Sequence, residues 1–128
     1  ALEASEFHSI ALINKGGSVF EKRLLPEKAQ YFPILDAAVL DVNKDGFDDL
    51  VAVGNIYDTE VETPRLDSGT GLVLLSDGKG GFKPLEWSES GLFINQDIKS
   101  LVRITVGGKE HLIMGINNGS TRSVSLLR

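Results

Sequence analysis

One pattern occurs twice in this chain at a fixed separation, and it restricts the fold more than any single motif. Ile10-Ala11-Leu12-Ile13 followed by Phe20 recurs as Leu72-Val73-Leu74-Leu75 followed by Phe82, an offset of 62. Leu50-Val51-Ala52 recurs as Leu112-Ile113-Met114, and Asn55 as Asn117, at the same offset. Two separate stretches that keep one spacing mark a repeated structural unit. A further copy ends in Val124-Ser125-Leu126-Leu127, which aligns with Leu72 to Leu75 at an offset of 52, so its preceding loop is expected to be ten residues shorter.

Each unit is built from short apolar runs broken by glycine turns. His8 to Asn14 and Val19 to Leu24 read as strands around Lys15-Gly16-Gly17-Ser18. Pro26 and Pro33 bracket a connection with room for one helical turn, and Ile34 to Leu40 and Leu50 to Val53 flank an acidic loop. Gly71 to Ser76, the turn Asp77-Gly78-Lys79-Gly80-Gly81 and Phe82 to Trp87 form another hairpin; Lys99 to Val106, Glu110 to Ile116 and Thr121 to Leu127 are three more strands. No stretch carries an apolar stripe of helical period. With the strands of one unit labelled a to d, the chain runs c-d, a-b-c-d, a-b-c. The expected fold is all-β: a single partial β-propeller domain of four-stranded antiparallel blades, about two to three of them, with a half blade over 1–25, a complete blade over 34–87 and a degenerate blade over 98–128. A β-sandwich is the alternative.

The loop within the complete unit, Asp41-Val42-Asn43-Lys44-Asp45-Gly46-Phe47-Asp48-Asp49, has oxygen-bearing side chains at alternate positions and a glycine where the chain turns sharply. That is the opening pattern of a calcium loop. Asp41, Asn43 and Asp45 would each turn an oxygen inward, Phe47 would offer its carbonyl, Asp49 would close the shell, and Asp48 would face solvent or a backbone amide. An EF-hand is excluded, because Ala52 stands where the bidentate Glu belongs and strands, not helices, flank the loop. A metal-free acidic hairpin turn is the competing reading, and magnesium suits so flexible an oxygen set less well than calcium. The corresponding turn of the last unit, Arg103 to Lys109, lacks carboxylates. A metal that one unit can drop is expected to be a structural staple and not a catalytic ion.

At 128 residues with a net charge of −5 and a pI near 5.0, the chain suits cations and argues against a nucleic-acid backbone as partner. It contains no cysteine, hence no disulfide or thiolate site, and no run of the roughly 18 apolar residues that a membrane helix requires. The opening Ala1-Leu2-Glu3-Ala4-Ser5-Glu6 carries no signal-peptide pattern, which reads as an excised or processed piece.

Asp41 to Val51, followed by Gly71-Leu72-Val73-Leu74-Leu75-Ser76-Asp77-Gly78-Lys79-Gly80-Gly81-Phe82, resembles the FG-GAP/VCBS repeat family, the calcium-loop propellers that include integrin α-subunit heads. Gly54-Asn55, Arg65-Leu66-Asp67 and Gly71 to Leu75 are most similar to the bacterial subgroup associated with ASPIC/UnbV modules, in which the pattern ends a long exported chain. The resemblance implies a propeller at the C-terminal end of a larger protein, with an extracellular, periplasmic or outer-membrane-associated location. It also implies a binding role but supplies no ligand; taken with the rest of the chain, the expected function is a binding or scaffolding module, non-enzymatic, for a protein or glycan.

The stretch Asn55 to Thr70 is long for a connection and carries Tyr57, Asp58, Glu60, Glu62, Arg65 and Asp67, a set suited to a sugar or peptide. The alternative is a solvated excursion in which Arg65 and Asp67 merely pair. Glu60 and Glu62 as an acid/base pair would make the chain part of a polysaccharide lyase or hydrolase, the rival to a non-enzymatic module. His8 and His111 have no nucleophile motif to join them. Phe20, Phe82 and Trp87 read as packing residues, and Asn14, Asn117 and Asn118 as turn formers. Open strand edges at both ends are expected to drive self-association or packing against further blades.

Overall fold

The structure, a computed structural model, describes residues 2–59, 62 and 64–125. Its strands fall into three antiparallel sheets. The first pairs β1 (Ile10–Gly16) with β2 (Val19–Leu24). The second holds β3 (Asp36–Leu40), β4 (Asp49–Val53), β5 (Leu72–Ser76) and β6 (Phe82–Pro84) in that order, and the third holds β7 (Ile98–Val106), β8 (Lys109–Ile116) and β9 (Arg122–Ser125). The chain is therefore all-β and antiparallel within each sheet. Among the described residues the sheets do not close into a ring.

Strand alternation explains how the sheets stack, because successive residues of a strand face opposite sides. On one face of the middle sheet, Leu50, Ala52, Leu72, Leu74 and Phe82 meet Ala11 of β1 together with Leu25, Ala29 and Phe32 of the following connection. On the other face, Ala38, Leu40, Val51, Val53 and Val73 meet Ile98, Leu101, Leu112 and Met114 of the third sheet. The middle sheet is thus apolar on both sides, and each fully buried Leu or Val there contributes about 2 kcal/mol. β3 and β7 run in the same direction: the Leu101 amide donates to Asp36 Oδ2 at 2.8 Å and Arg103 Nη1 to the Val39 carbonyl at 3.2 Å.

Several elements differ from the sequence reading. Trp87 does not continue β6; Trp87–Ser90 forms a single turn of helix, α1, held by reciprocal Glu86 and Glu89 capping bonds and ended by Gly91 at φ 70°. Trp87 is 62% exposed and packs edge-on against Phe93 at 5.9 Å, and Phe20 is 58% exposed. The expected helical turn after Pro26 is a 3-10 turn at Glu27–Gln30. Leu112 pairs with Val124 as Leu50 pairs with Leu74, which makes Val124 the counterpart of Leu74 at an offset of 50 and not 52. A slip of two residues leaves every side chain on its original face, so the apolar pattern cannot detect it. The third copy's loop is correspondingly shorter by two more residues. Leu126 and Leu127, on which the earlier alignment also drew, lie outside the described residues.

Gly54 is fixed by a close approach of two chain segments. The Leu35 amide donates to the Val53 carbonyl at 2.9 Å, and a Cβ at Gly54 would overlap the Pro33 carbonyl. Gly54→Ala is expected to destabilise the fold by about 3 kcal/mol or more in urea unfolding. Gly107→Ala, at a turn position with φ 57° and open space around it, should cost only about 1 kcal/mol.

Candidate metal loop and the polar cluster opposite it

The 41–49 loop leaves the end of β3 and enters β4, and its oxygens are ordered by backbone amides. Asp41 accepts the Asp45 amide on Oδ1 at 3.1 Å and the Gly46 amide on Oδ2 at 2.9 Å. Asn43 Oδ1 accepts the Asp45 amide at 3.1 Å while its Nδ2 donates to Asp45 Oδ2 at 2.8 Å, and Asp45 Oδ1 accepts the Phe47 amide at 2.9 Å. These are the local Asx bonds that short polar side chains offer a turning backbone. Gly46, at φ 90°, and Lys44, at φ 61°, supply the left-handed residues of the turn.

Asp49 behaves differently from the rest. It is fully buried, and its two oxygens accept amides from two separate segments: Oδ2 from Val42 and Oδ1 from Ser76, each at 2.8 Å. One carboxylate thereby joins the loop's entry to the end of β5. The Phe47 ring lies over Gly78, where a Cβ would overlap it, so the loop also rests on the β5–β6 turn. Asp48 is exposed.

The donor set of Asp41, Asn43, Asp45, the Phe47 carbonyl and Asp49 fits a hard divalent cation, since every donor is an oxygen and each carboxylate oxygen retains a lone pair after its amide bond. The side chains are arranged around backbone amides, and among the described residues no three His, Cys, Asp or Glu side chains converge as a metal group.

In the third sheet the same connection is a tight Gly107-Gly108 turn, and β7 and β8 continue to pair through Ile104–His111, Thr105–Glu110 and Val106–Lys109. Arg103 from this hairpin bonds Glu110 and reaches the Val39 carbonyl. Its guanidinium is pushed above its ordinary value by the Glu110 bond, against burial, with further help from the charges of Glu110 and Asp48. A cation of the third sheet thus leans toward the acidic loop.

At the other end of β4, the long stretch is tied to the third sheet. Asn55 is fully buried at φ 149°, a conformation costing about 1–3 kcal/mol in a non-glycine residue. Its side chain offsets that cost by donating to the Gly69 and Gln96 carbonyls at 2.6 and 3.1 Å and accepting the Gly69 amide at 2.8 Å. Asp97, 2% exposed, sits 2.6 Å from Lys99 Nζ, and Lys99 also donates to the Asn55 carbonyl at 3.0 Å. Asn117 Nδ2 lies 3.1 Å from both Asp58 and Asp97. Burial raises the Asp97 pKa, but Lys99, Asn117 and the Tyr57 amide outweigh it and leave the carboxyl below its ordinary value.

Of the residues proposed for a ligand, Arg65 stacks 3.7 Å over the Tyr57 ring and pairs with Asp67 at 3.1 Å, while Tyr57 Oη donates to Asn95 at 3.2 Å. Asp58 is engaged by Asn117, Glu62 is exposed, and Glu60 lies outside the described residues. The Arg65–Asp67 pairing is the one the solvated-loop alternative describes. Sequence reasoning missed Asp97 and Lys99 altogether; Asn117 stands in the turn after β8, as read, and the structure adds its side-chain bonds to Asp58 and Asp97, for which the shared offset of Asn55 and Asn117 was the one signal. Comparisons with protein-family models, curated proteins and solved structures return no match to this chain.

With metal chelated, Asp49→Ala should lower unfolding free energy by about 2–4 kcal/mol, because two buried amides lose their acceptor, whereas exposed Asp45→Ala should stay within about 1 kcal/mol. Asp97 has a folded pKa below its ordinary 3.8, so its contribution is complete above that value and disappears as pH falls through the folded pKa. The stability gap between the wild type and Asp97→Asn should therefore be constant near neutrality and shrink below pH 3.8, measured by urea melts across pH.

Proposed function

We propose that the chain is a portion of a calcium-stapled β-propeller that serves as a binding or scaffolding module of a larger exported bacterial protein of FG-GAP/VCBS type. The observation that carries this reading is the 41–49 loop: oxygen-bearing side chains at alternate positions between two strands, ordered by backbone amides and anchored by a buried Asp49 that also holds the end of β5. Calcium there would offset two of the three negative charges of Asp41, Asp45 and Asp49 and fix the loop against the β5–β6 turn, with no part in chemistry.

The face-to-face stack of two-, four- and three-stranded sheets, and the shared direction of β3 and β7, support blade-like packing over a sandwich. The surface offered to a protein or glycan would be the 55–70 stretch, whose Tyr57, Arg65 and Asp67 are held together in a fixed rack.

Calcium is expected to raise the melting temperature of the wild-type chain, and the rise should vanish in Asp45→Ala while that variant melts like the wild type in chelator. Equal melting of wild type with and without calcium would remove the staple from the reading.

A further inference from the structure

We infer that the cleft between the 3-10 turn and α1 is a binding subsite for one ring of a neutral saccharide. Its walls come from the segments 28–32, 68–72 and 85–87. The cleft therefore forms where the connections before and after the middle sheet meet the end of the 55–70 stretch, and not on the outer face of the first or third sheet. From that stretch it takes Ser68 and Thr70, apart from the Tyr57, Arg65 and Asp67 rack. The inference rests on the reading of the chain as a binding module and gives that module a ligand class and a place. The calcium loop takes no part in it.

Two aromatic side chains give the cleft its character. Tyr31 and Trp87 line it from different connections and stay 58% and 62% exposed. Each is held before any ligand arrives. The Tyr31 hydroxyl donates to the Glu27 side chain, while Trp87 stands on a turn closed by the Glu86 and Glu89 capping bonds, with Phe93 packed edge-on against it. Rings fixed in this way bind at little further entropic cost, and they offer flat faces to the C–H groups of a sugar ring. Phe32 and Leu72, both buried, complete the apolar lining. The polar groups point to the same class of ligand. Lys28 donates to Glu86 and so joins the two connections, and the two charges of the lining cancel. An ionic ligand gains no counter-charge there, whereas a neutral hydroxyl can accept from the ammonium and donate to the carboxylate. The enclosed volume, about 140 Å³, falls below the roughly 300–1,000 Å³ of sites that take in a whole small molecule, so it seats one ring and leaves the rest of a glycan outside. A proline-rich peptide needs an extended aromatic-lined groove, which a single cell of this size does not provide.

Trp87 is the single tryptophan of the chain, so its fluorescence reports on the cleft directly. Cellohexaose, xylohexaose, maltohexaose and chitohexaose titrated into the wild-type chain, followed by that fluorescence and by calorimetry, test the assignment. At least one should bind at millimolar concentration or below and shift the emission. Tyr31→Ala and Trp87→Ala should each weaken that binding by about tenfold or more in calorimetry, as loss of an aromatic anchor does, and Trp87→Phe, which keeps a ring, should recover part of it. Far-UV circular dichroism checks folding, and leucine at the same positions serves if either alanine variant fails that check. No response to any of these saccharides, or a shift of Trp87 emission by decaproline alone, would overturn the assignment. Saccharide binding that survives both alanine variants but is lost in Arg65→Ala would overturn the cleft and leave the binding module standing. A saccharide that binds through Tyr31 and Trp87 and is cleaved would uphold the cleft and overturn the non-enzymatic module.

Discussion

The buried carboxylate of Asp49 is the interaction on which the middle of this molecule depends. An ionised side chain without solvent is tolerated only where its oxygens are satisfied, and here the Val42 and Ser76 amides do so from two directions. The group stands at the first residue of β4, so it sets where the loop stops and the sheet starts. It also fixes the end of β5 against β4, and with it the β5–β6 turn on which Phe47 rests. The loop, the strand order and the apolar face below them are consequently coupled through one side chain.

The third sheet solves the same connection without acidic side chains. Main-chain pairing extends along β7 and β8 to a two-glycine turn, and the ladder itself satisfies the backbone groups that side-chain oxygens satisfy in the 41–49 loop. The two solutions are not isolated from one another. Arg103, bonded to Glu110 on the hairpin, also donates to the Val39 carbonyl at the end of β3, so the strand behind the simpler turn touches the strand that leads into the acidic one.

At the opposite end, the described residues of the 55–70 stretch are held by groups distant in sequence. Asn55 accepts a strained backbone because three bonds to Gly69 and Gln96 hold it, and the Asp97–Lys99 pair fastens this corner to the start of β7. Here the local reading fell short: Asp97 and Lys99 look like ordinary strand-flanking charges, and Asn117, a turn residue as read, gains its bonds to Asp58 and Asp97 only when the third sheet is folded onto the second. Trp87 was misread for a related reason. Its apolar character suggested a strand, while the Glu86 and Glu89 caps made a helical turn and left the ring at the surface.

The sequence alone determined the elements and their partition. Apolar runs of period two, glycine-rich turns and an offset of 62 were enough to separate strands into sheets of two, four and three, because local alternation and turn chemistry act within a few residues. The acidic loop was legible for the same reason, as was its loss in the third copy. Only the tertiary structure decided the register of β9, since a two-residue slip preserves the facing of every side chain. It alone decided that Asp49 is a buried pin joining two strands. It also paired the charges around Asn55, because burial and long-range amide partners exist only once the sheets are stacked.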